Sequence, residues 1–330
     1  MSDKIKAVGL LSGGLDSILA VKLMIDQGIE VHAVNFTSPF FNSDSGRNCY
    51  AVEVAKKFGI PLKMIVVGPE YFRIIRNPKH GHGSGMNPCI DCKIYFLKIA
   101  KKYADEIGAK FIFTGEVFGQ RPMSQRLEAM KIIEKEAGLD GKVLRPLSSK
   151  FLKKTEAERE GWVDREKLMG IKGRSRKPQM ELARQLHIAD YPSPGGGCLL
   201  TYKEFARKVS DLFVHKKRVV TRDMNMLKAG KHFRYGANKI VVGANEEENN
   251  RLLALKYKTD YIFEVPGVGS PVTVLTGEKT RDAIRMAARL TARYSDADSS
   301  KVLVRYGTKR AVKGIWVAAL DQKRIEKLRV

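Results

Sequence analysis

The feature that most constrains the fold is a short polar loop between two apolar segments near the start of the chain. Residues 7–24 read AVGLLSGGLDSILAVKLM, in which a segment of strand length is followed by Ser-Gly-Gly-Leu-Asp-Ser and then by apolar residues at helical spacing. Two adjacent glycines let the backbone turn tightly, and the following helix directs its positive end at the same point. Such a loop predicts an anion site, although Gly-rich strand-to-helix turns also occur for packing alone.

Strand-like and helix-like segments alternate on both sides of this loop. Alternation of this kind predicts a parallel sheet covered by helices, with ligands bound at the carboxyl ends of the strands. The loop lies at such an end. The predicted elements are strands at 6–11, 30–36, 62–67 and 110–114, and helices at 18–27, 51–58 and 92–107.

The charge of the chain indicates what kind of partner it binds. Its 330 residues include 60 Lys and Arg against 36 Asp and Glu, a formal net charge of +24. An excess of this size favours a polyanionic partner such as nucleic acid, while a solvated basic surface is the alternative. We see no leader peptide and no apolar run near the length of a membrane span, so we expect a cytoplasmic protein without a membrane partner.

A change in the sequence near residue 202 indicates a domain boundary. Residues 150–184 are densely charged, and DYPSPGGGCLLT then supplies proline and glycine breaks. Downstream, short strands such as KIVVGA and SPVTVLTG surround one helix predicted at 279–294. We predict a catalytic domain at 1–202 and a smaller, more basic α+β domain at 203–330.

The SGGLDS motif resembles the signature of the PP-loop ATP pyrophosphatases. The resemblance implies a Rossmann-like parallel sheet of the PP-loop, or adenine nucleotide alpha hydrolase-like, type. It also implies that ATP and Mg2+ bind here and that pyrophosphate leaves when a substrate oxygen is adenylated. Asp16 is suited to positioning the metal or to capping the helix. The residues implied to bind ATP from this loop are Ser12, Gly13, Gly14, Leu15, Asp16 and Ser17.

A second motif narrows the resemblance. FIFTGEVFGQRPMSQ at 111–125 is similar to the T-G-E-x-x-G-Q-x-x-S-Q segment of the ThiI family of tRNA 4-thiouridine synthases, with one extra residue before Ser124 and Gln125. VLRPLSS at 143–149 resembles the segment that follows it in that family. The likeness implies a tRNA substrate and adds Gly115, Glu116 and Gln120 to the ATP site, although Glu116 is equally suited to capping a helix.

Three cysteines stand in two motifs. Cys89 and Cys92 form a CxxC pair within GMNPCIDCK, and Cys198 follows three glycines in SPGGGCLLT. Without an export signal, they indicate reactive or metal-binding thiols rather than disulfides. They resemble the two cysteine positions of MnmA-type tRNA 2-thiouridylases, where one cysteine carries a persulfide and another releases it by forming a disulfide. Cys49 is expected to be a small buried residue on a helix.

Three thiolates, two of them in a CxxC pair, also suit a 4Fe-4S cluster in which the fourth iron is open to sulfide. Such ligand sets occur in relatives among the PP-loop tRNA thiolases. Zinc is the rival, since His80 or His82 in KHGHGSG would complete a set of three cysteines and one histidine. Each histidine alone is more simply a solvated loop residue. A persulfide requires a cysteine desulfurase partner, whereas a cluster requires only a sulfide donor, and the sequence leaves these routes open.

The downstream domain resembles the NFACT-R domain, an RNA-binding module of ribosome-associated proteins. The likeness covers most of 218–314, although a Trp-His pair expected near Ile262 and Phe263 is absent. The THUMP domain of typical ThiI proteins is also absent, so we expect RNA to bind downstream, with Phe233 or Tyr235 available for stacking. The candidate phosphate contacts are Lys228, Lys231, His232, Arg234, Lys309, Arg310 and Lys313.

These resemblances predict an ATP-dependent tRNA sulfurtransferase that adenylates a uridine carbonyl oxygen and replaces it by sulfur. Adenylation is needed because oxide is a poor leaving group, whereas AMP leaves readily. The alternatives are a PP-loop amide ligase acting on a small molecule and a non-catalytic tRNA- or ribosome-binding protein. The choice between 2-thio and 4-thio products, the tRNA position and the oligomeric state stay open. The predicted catalytic residues are Cys89, Cys92, Cys198 and Asp16.

Overall fold

The chain divides into two units, Met1–Thr201 and Tyr202–Val330, in a computed structural model that describes residues 4–41, 47–192 and 197–330. The division falls one residue before the boundary predicted from the sequence. Helices in the described ranges all lack the length and apolar character needed to cross a lipid bilayer.

The first unit is built on a five-stranded parallel sheet with the order β3-β2-β1-β4-β5. The strand order reverses at β1, which pairs with β2 on one side and with β4 on the other. In open parallel sheets this switch point is where ligands bind. The predicted Rossmann-like fold class is therefore confirmed for this unit. The strands are β1 (Lys6–Leu10), β2 (Glu30–Thr37), β3 (Leu62–Val66), β4 (Phe111–Thr114) and β5 (Val143–Leu144).

Helices cover this sheet, and α1 packs against both β1 and α7. The three helices predicted from the sequence are present, and each begins earlier than predicted, because their first turns are polar and carry no apolar periodicity. α3, α5, α6 and α7 were not predicted. The helices are α1 (Leu15–Ile25), α2 (Arg47–Lys57), α3 (Pro69–Arg76), α4 (Cys89–Ile107), α5 (Leu127–Ala137), α6 (Glu156–Arg159) and α7 (Lys177–Gln185).

The second unit is the predicted α+β fold, an antiparallel sheet with the order β11-β10-β8-β9-β7-β6. Its strands are β6 (Lys231–Tyr235), β7 (Asn238–Val242), β8 (Tyr261–Glu264), β9 (Thr273–Thr276), β10 (Val302–Gly307) and β11 (Lys313–Val317). Its helices are α8 (Lys203–His215), α9 (Thr221–Met226), α10 (Glu246–Leu255), α11 (Arg281–Arg293) and α12 (Gln322–Leu328).

The two faces of this sheet carry separate cores. On one face Phe263 and Val304 pack with Ala287 of α11. On the other face Ile262 and Val274 pack with Leu252 of α10. Successive residues of a strand point to opposite faces, so β8 contributes Ile262 to one core and Phe263 to the other.

Candidate functional site

The SGGLDS loop joins β1 to α1 at the carboxyl end of the sheet. Gly13 has a φ of +77°, in the left-handed region that favours glycine, and Gly14 is the N-cap of α1. The Ser17 hydroxyl donates a hydrogen bond of 2.7 Å to the Gly14 carbonyl and lies 3.3 Å from the Ser12 hydroxyl. These bonds fix the loop. The Ser17 N–H bonds the Gly14 carbonyl at 3.0 Å, and the N–H groups at the very start of a helix, which no carbonyl one turn earlier can accept, are the donors that an anion site uses.

The end of β4 contacts this loop directly. A Cβ atom at Gly115 would lie 2.5 Å from the carbonyl carbon of Asp16 and 2.6 Å from the Cα of Ser17, so only glycine allows this approach. The Gln120 amide donates a hydrogen bond of 3.2 Å to the Asp16 carboxylate. Two motifs about a hundred residues apart in the chain therefore meet at one place.

Glu116 follows Gly115 in the chain, and its carboxylate forms ion pairs with Lys93 and Arg145. Its carboxylate is 4% exposed, accepts a 3.1 Å hydrogen bond from Arg145 Nε and lies 3.1 Å from Lys93 Nζ. Burial alone would raise the pKa of Glu116, but Lys93 and Arg145 outweigh it and hold the pKa at about 2. Arg145 also pairs with Glu134 of α5. This network fixes the end of β4 against its neighbours, and a direct contact between Glu116 and ATP stays a prediction.

Asp16 has further polar neighbours that sequence reasoning missed. Burial raises the pKa of Asp16, and the Gln120 bond and the Arg176 and Arg121 guanidinium groups oppose the rise. Gln179 is fully buried near Asp16 and its amide opposes the rise in the pKa of that carboxyl, yet among the described residues neither amide atom of Gln179 nor Asp16 Oδ1 has a hydrogen bond of good geometry. Buried polar atoms without partners are rare in proteins and indicate a place for a ligand.

Arg176 and Gln179 come from GIKGRSRKPQ, which the sequence reading treated only as a charged stretch before the domain boundary. The segment is held by the Gly173 N–H, which bonds the Phe118 carbonyl at 2.7 Å. The Ser148 hydroxyl adds a second tie, because it accepts from Phe118 N and donates to the carbonyl of Ile171. The sequence did contain a signal for these residues, because Arg176 and Gln179 lie on either side of Pro178 at the start of α7.

Packing within the first unit brings the three cysteines together. α4 begins at Cys89, one turn earlier than predicted, so both thiols of the CxxC pair lie on its first turn. The residues after Cys198 bond to two other segments, through Leu199 N to the Phe40 carbonyl (2.8 Å) and Met86 N to the Leu200 carbonyl (2.9 Å). All three cysteines are free and half-buried. Cys49 lies in α2, but its side chain is outside the described residues, as are residues 193–196.

Hydrogen bonds reach two of the three sulfur atoms. The Asn87 amide donates to Cys89 Sγ at 3.2 Å, and the hydroxyl of the buried Tyr71 lies 3.0 Å from Cys92 Sγ. Burial raises the pKa of Cys92, and it raises the pKa of Cys198 to about 12; both shifts include the charge of Cys89. Cys89 therefore lies near both of these thiols, and Cys92 and Cys198 stay protonated until a cation binds them.

The two histidines near the cysteines have other hydrogen-bond partners. His80 Nε2 lies 3.0 Å from Glu136 and His82 Nε2 lies 2.8 Å from the Ile75 carbonyl, so both histidines have other partners. Within 4–41, 47–192 and 197–330, no three His, Cys, Asp or Glu side chains surround a single metal position. Cluster thiolates each bind a different iron and stand farther apart than the ligands of one ion, which is compatible with this arrangement.

One loop links the cysteines to the nucleotide loop. Arg121 acts on the pKa of both Asp16 and Cys198, so its guanidinium is within electrostatic reach of both groups. Two residues later, Met123 Sδ lies 3.8 Å from the Asn87 amide that bonds Cys89. The neighbouring Ser124 and Gln125 are buried. The segment 120–125 therefore contacts the nucleotide loop through Gln120 and the neighbourhood of Cys89 through Met123.

The candidate RNA contacts of the second unit differ in exposure. Lys309, Arg310 and Lys313 are exposed on the β10–β11 hairpin. Lys228 is half-buried, and Lys231 Nζ lies 4.2 Å from the centre of the Tyr294 ring. The first three are therefore accessible to a phosphate backbone.

His232 and Phe233 are not accessible to RNA, so the prediction of a phosphate contact at His232 and of base stacking at Phe233 is wrong. His232 is 1% exposed, its Nε2 lies 2.9 Å from the Ala229 carbonyl, and burial lowers its pKa, so it cannot contact phosphate. Phe233 is fully buried in the core and cannot stack on a base. Arg234 is paired with Asp211 through Nε (2.9 Å) and Nη2 (2.6 Å). β6 is covered on both faces, which its basic composition did not reveal.

Two family models match separate parts of the chain. Residues 3–157 match the model described as "Thiamine biosynthesis protein (ThiI)", and residues 230–329 match "NFACT protein RNA binding domain". The chain therefore combines a ThiI-type region with an NFACT-type RNA-binding domain, and both resemblances read from its motifs are confirmed.

Curated relatives match the first region. A probable tRNA sulfurtransferase of Thermococcus kodakarensis is 33% identical over 142 residues, which are 43% of this chain and 36% of that protein. One from Lysinibacillus sphaericus is 32% identical over 146 residues, which are 44% of this chain and 35% of that protein. The match thus spans about a third of the length of these relatives.

Solved structures are similar at a lower level. A 4-thiouridine synthetase–RNA complex with bound ATP is 23% identical, with a TM-score of 0.36, over 68% of this chain and 52% of that one. The U34-tRNA thiolase NcsA from Methanococcus maripaludis, with its 4Fe-4S cluster, is 18% identical, with a TM-score of 0.36, over 68% and 71%. A TM-score of this size transfers neither ligand nor mechanism.

Proposed function

We propose that this protein is an ATP-dependent tRNA sulfurtransferase that adenylates a uridine carbonyl oxygen and replaces it by sulfur. The observation that carries the proposal is the loop of residues 120–125, which contacts the nucleotide loop through Gln120 and the cysteine site through Met123 and Asn87. A phosphate-binding loop alone is compatible with many reactions, and a set of thiols alone is compatible with several functions. Both in one site suit sulfur transfer to an activated carbon.

The first step is the activation of the uridine. The uridine oxygen attacks the α-phosphorus of ATP and pyrophosphate leaves, so negative charge develops on the phosphates. The loop N–H groups, the hydroxyls of Ser12 and Ser17, and the cations Arg121 and Arg176 are placed to stabilise that charge. Asp16 would hold Mg2+, because Oδ1 of its buried carboxylate makes no hydrogen bond of good geometry with any described residue. The ion supplies further neutralisation of the phosphates.

The second step is the attack of sulfur. Sulfide adds to the activated carbon, and AMP leaves with the former carbonyl oxygen. Cys89, Cys92 and Cys198 would hold a 4Fe-4S cluster, which when bound supplies an open iron for sulfide from a donor in solution. In the alternative route, one cysteine carries a persulfide made by a desulfurase. The outer sulfur of the persulfide attacks the activated carbon and AMP leaves, so that sulfur is then bonded to both the cysteine and the nucleoside. A second cysteine attacks the sulfur of the first, the bond to the outer sulfur breaks and releases the thiouridine, and an external thiol reduces the disulfide that forms.

The second unit would hold the tRNA. The exposed cations of the β10–β11 hairpin and the +24 charge support this role, as does the match to an RNA-binding domain model. The matching domain model describes RNA binding in general and names no kind of RNA, so tRNA as the partner is part of the proposal. A cytoplasmic location is part of it too.

Pyrophosphate release from radiolabelled ATP tests the activation step. We expect unmodified tRNA to stimulate release by the wild-type protein, and we expect the triple Cys89→Ser, Cys92→Ser, Cys198→Ser variant to retain this stimulation. Iron and acid-labile sulfide, measured on anaerobically purified protein, test the sulfur step, with about four irons expected per chain in the wild type and none in the variant. RNA binding without any pyrophosphate release would instead indicate a binding protein.

A further inference from the structure

The outer face of β10 and β11 carries an exposed tryptophan. Leu303 pairs with Trp316 and Arg305 pairs with Gly314 in the antiparallel register, so these four residues share one face of the sheet. Ile315 and Val317 point to the opposite face, into the core under α11. We call Leu303, Arg305, Gly314 and Trp316 the hairpin face.

Trp316 is 64% exposed, the most exposed aromatic side chain in the described part of the second unit. Farther along the same side of the sheet, Ile262 and Val274 are covered by α10. β11 is an edge strand, and the ring at its end is left open to solvent. Tryptophan is highly buried on average, so a ring this open on a regular strand needs a functional explanation.

Cations lie along the hairpin on the side of this ring that leads to the turn, where Tyr306 pairs with Lys313. Arg305 is exposed on the hairpin face itself, and Lys309 and Arg310 are exposed at the turn between the two strands. Glu264 of β8 stands opposite Arg305 in the strand register and contributes one negative charge on this face. The balance of the group is therefore positive, as a phosphate backbone requires.

The turn that carries these cations has a defined shape. Lys256 Nζ donates a 2.7 Å hydrogen bond to the Thr308 carbonyl, which ties the turn to the end of α10. A Cβ atom at Gly307 would lie 2.0 Å from the Arg310 carbonyl oxygen, so the turn is closed tightly against its own strand. The cations are thus positioned on a regular hairpin.

We propose that Trp316 and Arg305 form a stacking platform for an unpaired RNA base, with Lys309 and Arg310 binding the adjacent phosphates. The proposal rests on the RNA-binding role proposed above and names its surface. A flat ring beside a guanidinium group binds the face of a base, and the neighbouring cations bind the backbone. Bases inside a duplex are stacked on one another, so the platform requires a loop or a single-stranded end.

Fluorescence anisotropy with a labelled oligouridylate and a labelled RNA duplex tests the proposal in the full-length protein. We expect Trp316→Ala to weaken oligouridylate binding by about 5- to 100-fold, with little effect on the duplex. The dependence of log K on log salt should keep its slope, because no charge is removed. Arg310→Ala should instead reduce that slope by about one unit for either RNA. Tyr202→Ala, which removes another exposed aromatic ring, is the matched control and should bind like wild type.

Tryptophan fluorescence gives a second readout. Oligouridylate should quench the wild-type emission, and the quenched component should be missing in Trp316→Phe, which retains a ring and most of the affinity. One outcome is that the wild type binds oligouridylate in a salt-sensitive way while Trp316→Ala binds it with the same affinity. That result would refute the stacking platform and leave the proposed RNA-binding role standing. An equal loss for oligouridylate and duplex would also refute it. If the wild type binds neither RNA, both proposals fail.

Discussion

Gln120 donates a hydrogen bond of 3.2 Å to the carboxylate of Asp16, although 104 positions separate the two residues in the chain. One residue belongs to the nucleotide loop after β1 and the other to the segment after β4, on either side of the point where the strand order reverses. The bond joins the SGGLDS motif, which resembles PP-loop ATP pyrophosphatases, to the segment at 111–125 that resembles the ThiI family.

Gly115→Ala should disable ATP binding. Its new methyl group would lie 2.5 Å from the backbone of Asp16, so the nucleotide loop must move. We expect RNA-stimulated pyrophosphate release to fall on the order of 100-fold, since displacements of about 1 Å in a catalytic site have effects of this size. Gly68→Ala is the matched control, because a methyl group at this strand-to-helix glycine meets nothing closer than 3.9 Å. Equal activity in the two variants would contradict the contact.

Glu116→Gln should destabilise the first unit. Removing the Glu116 charge leaves Lys93 without this partner and Arg145 with Glu134 alone, and we expect a loss of roughly 3–5 kcal/mol in the free energy of unfolding. Glu106→Gln, which breaks an exposed pair with Lys63, should cost less than about 1 kcal/mol. Chemical denaturation of both variants at neutral pH compares them.

The same carboxylate predicts a pH dependence. The folded-state pKa of Glu116 is about 2, below its ordinary value of 4.5, so the stabilisation is present above pH 4.5 and is lost as the pH falls towards 2. The stability difference between wild type and Glu116→Gln should therefore shrink across that window. A difference that stays constant from neutral pH to pH 2 would show that folding does not lower the pKa of Glu116.

Tyr71→Phe should change the electronic properties of a bound cluster without preventing its assembly. The Tyr71 hydroxyl lies 3.0 Å from Cys92 Sγ, and hydrogen bonds to ligand sulfurs help to set cluster potentials. Losing this donor removes stabilisation of the more negative, reduced state, so the reduction potential should fall. A redox titration followed by electron paramagnetic resonance measures it. Tyr103→Phe is the control, since that ring contacts Lys63 and not a cysteine; an identical shift there would refute the assignment.

His232→Gln and Arg310→Ala should separate stability from RNA binding. His232 is buried, so its replacement should lower the melting temperature of the second unit and leave the salt dependence of RNA binding unchanged. Arg310 is exposed, so its replacement should reduce the salt slope by about one and leave the melting temperature near that of the wild type. Calorimetry and binding titrations on the same samples decide between the two roles, and the reverse pattern would restore His232 as a contact.

The sequence predicted the four strands and three of the four helices within residues 6–114, all but α3, because apolar periodicity is a local signal. It placed the start of α4 three residues late, since Cys89 and its neighbours are polar or small, and so it did not anticipate that the CxxC pair shares a helical turn. Arg176 and Gln179 were missed because their place beside Asp16 depends on long-range ties through Ser148 and Gly173. His232 was misjudged because composition does not show that a basic strand is covered on both faces.

The measurement that tests the central claim most directly is nucleoside analysis by mass spectrometry. Unmodified tRNA is incubated anaerobically with ATP, Mg2+ and sulfide, and with either the wild-type protein or the triple cysteine-to-serine variant. We predict ATP-dependent thiouridine from the wild type, and pyrophosphate release without thiouridine from the variant. Thiouridine formed equally by both proteins would contradict the assignment of sulfur transfer to Cys89, Cys92 and Cys198. Its absence with both, even after a cysteine desulfurase and cysteine are supplied, would contradict the sulfurtransferase itself.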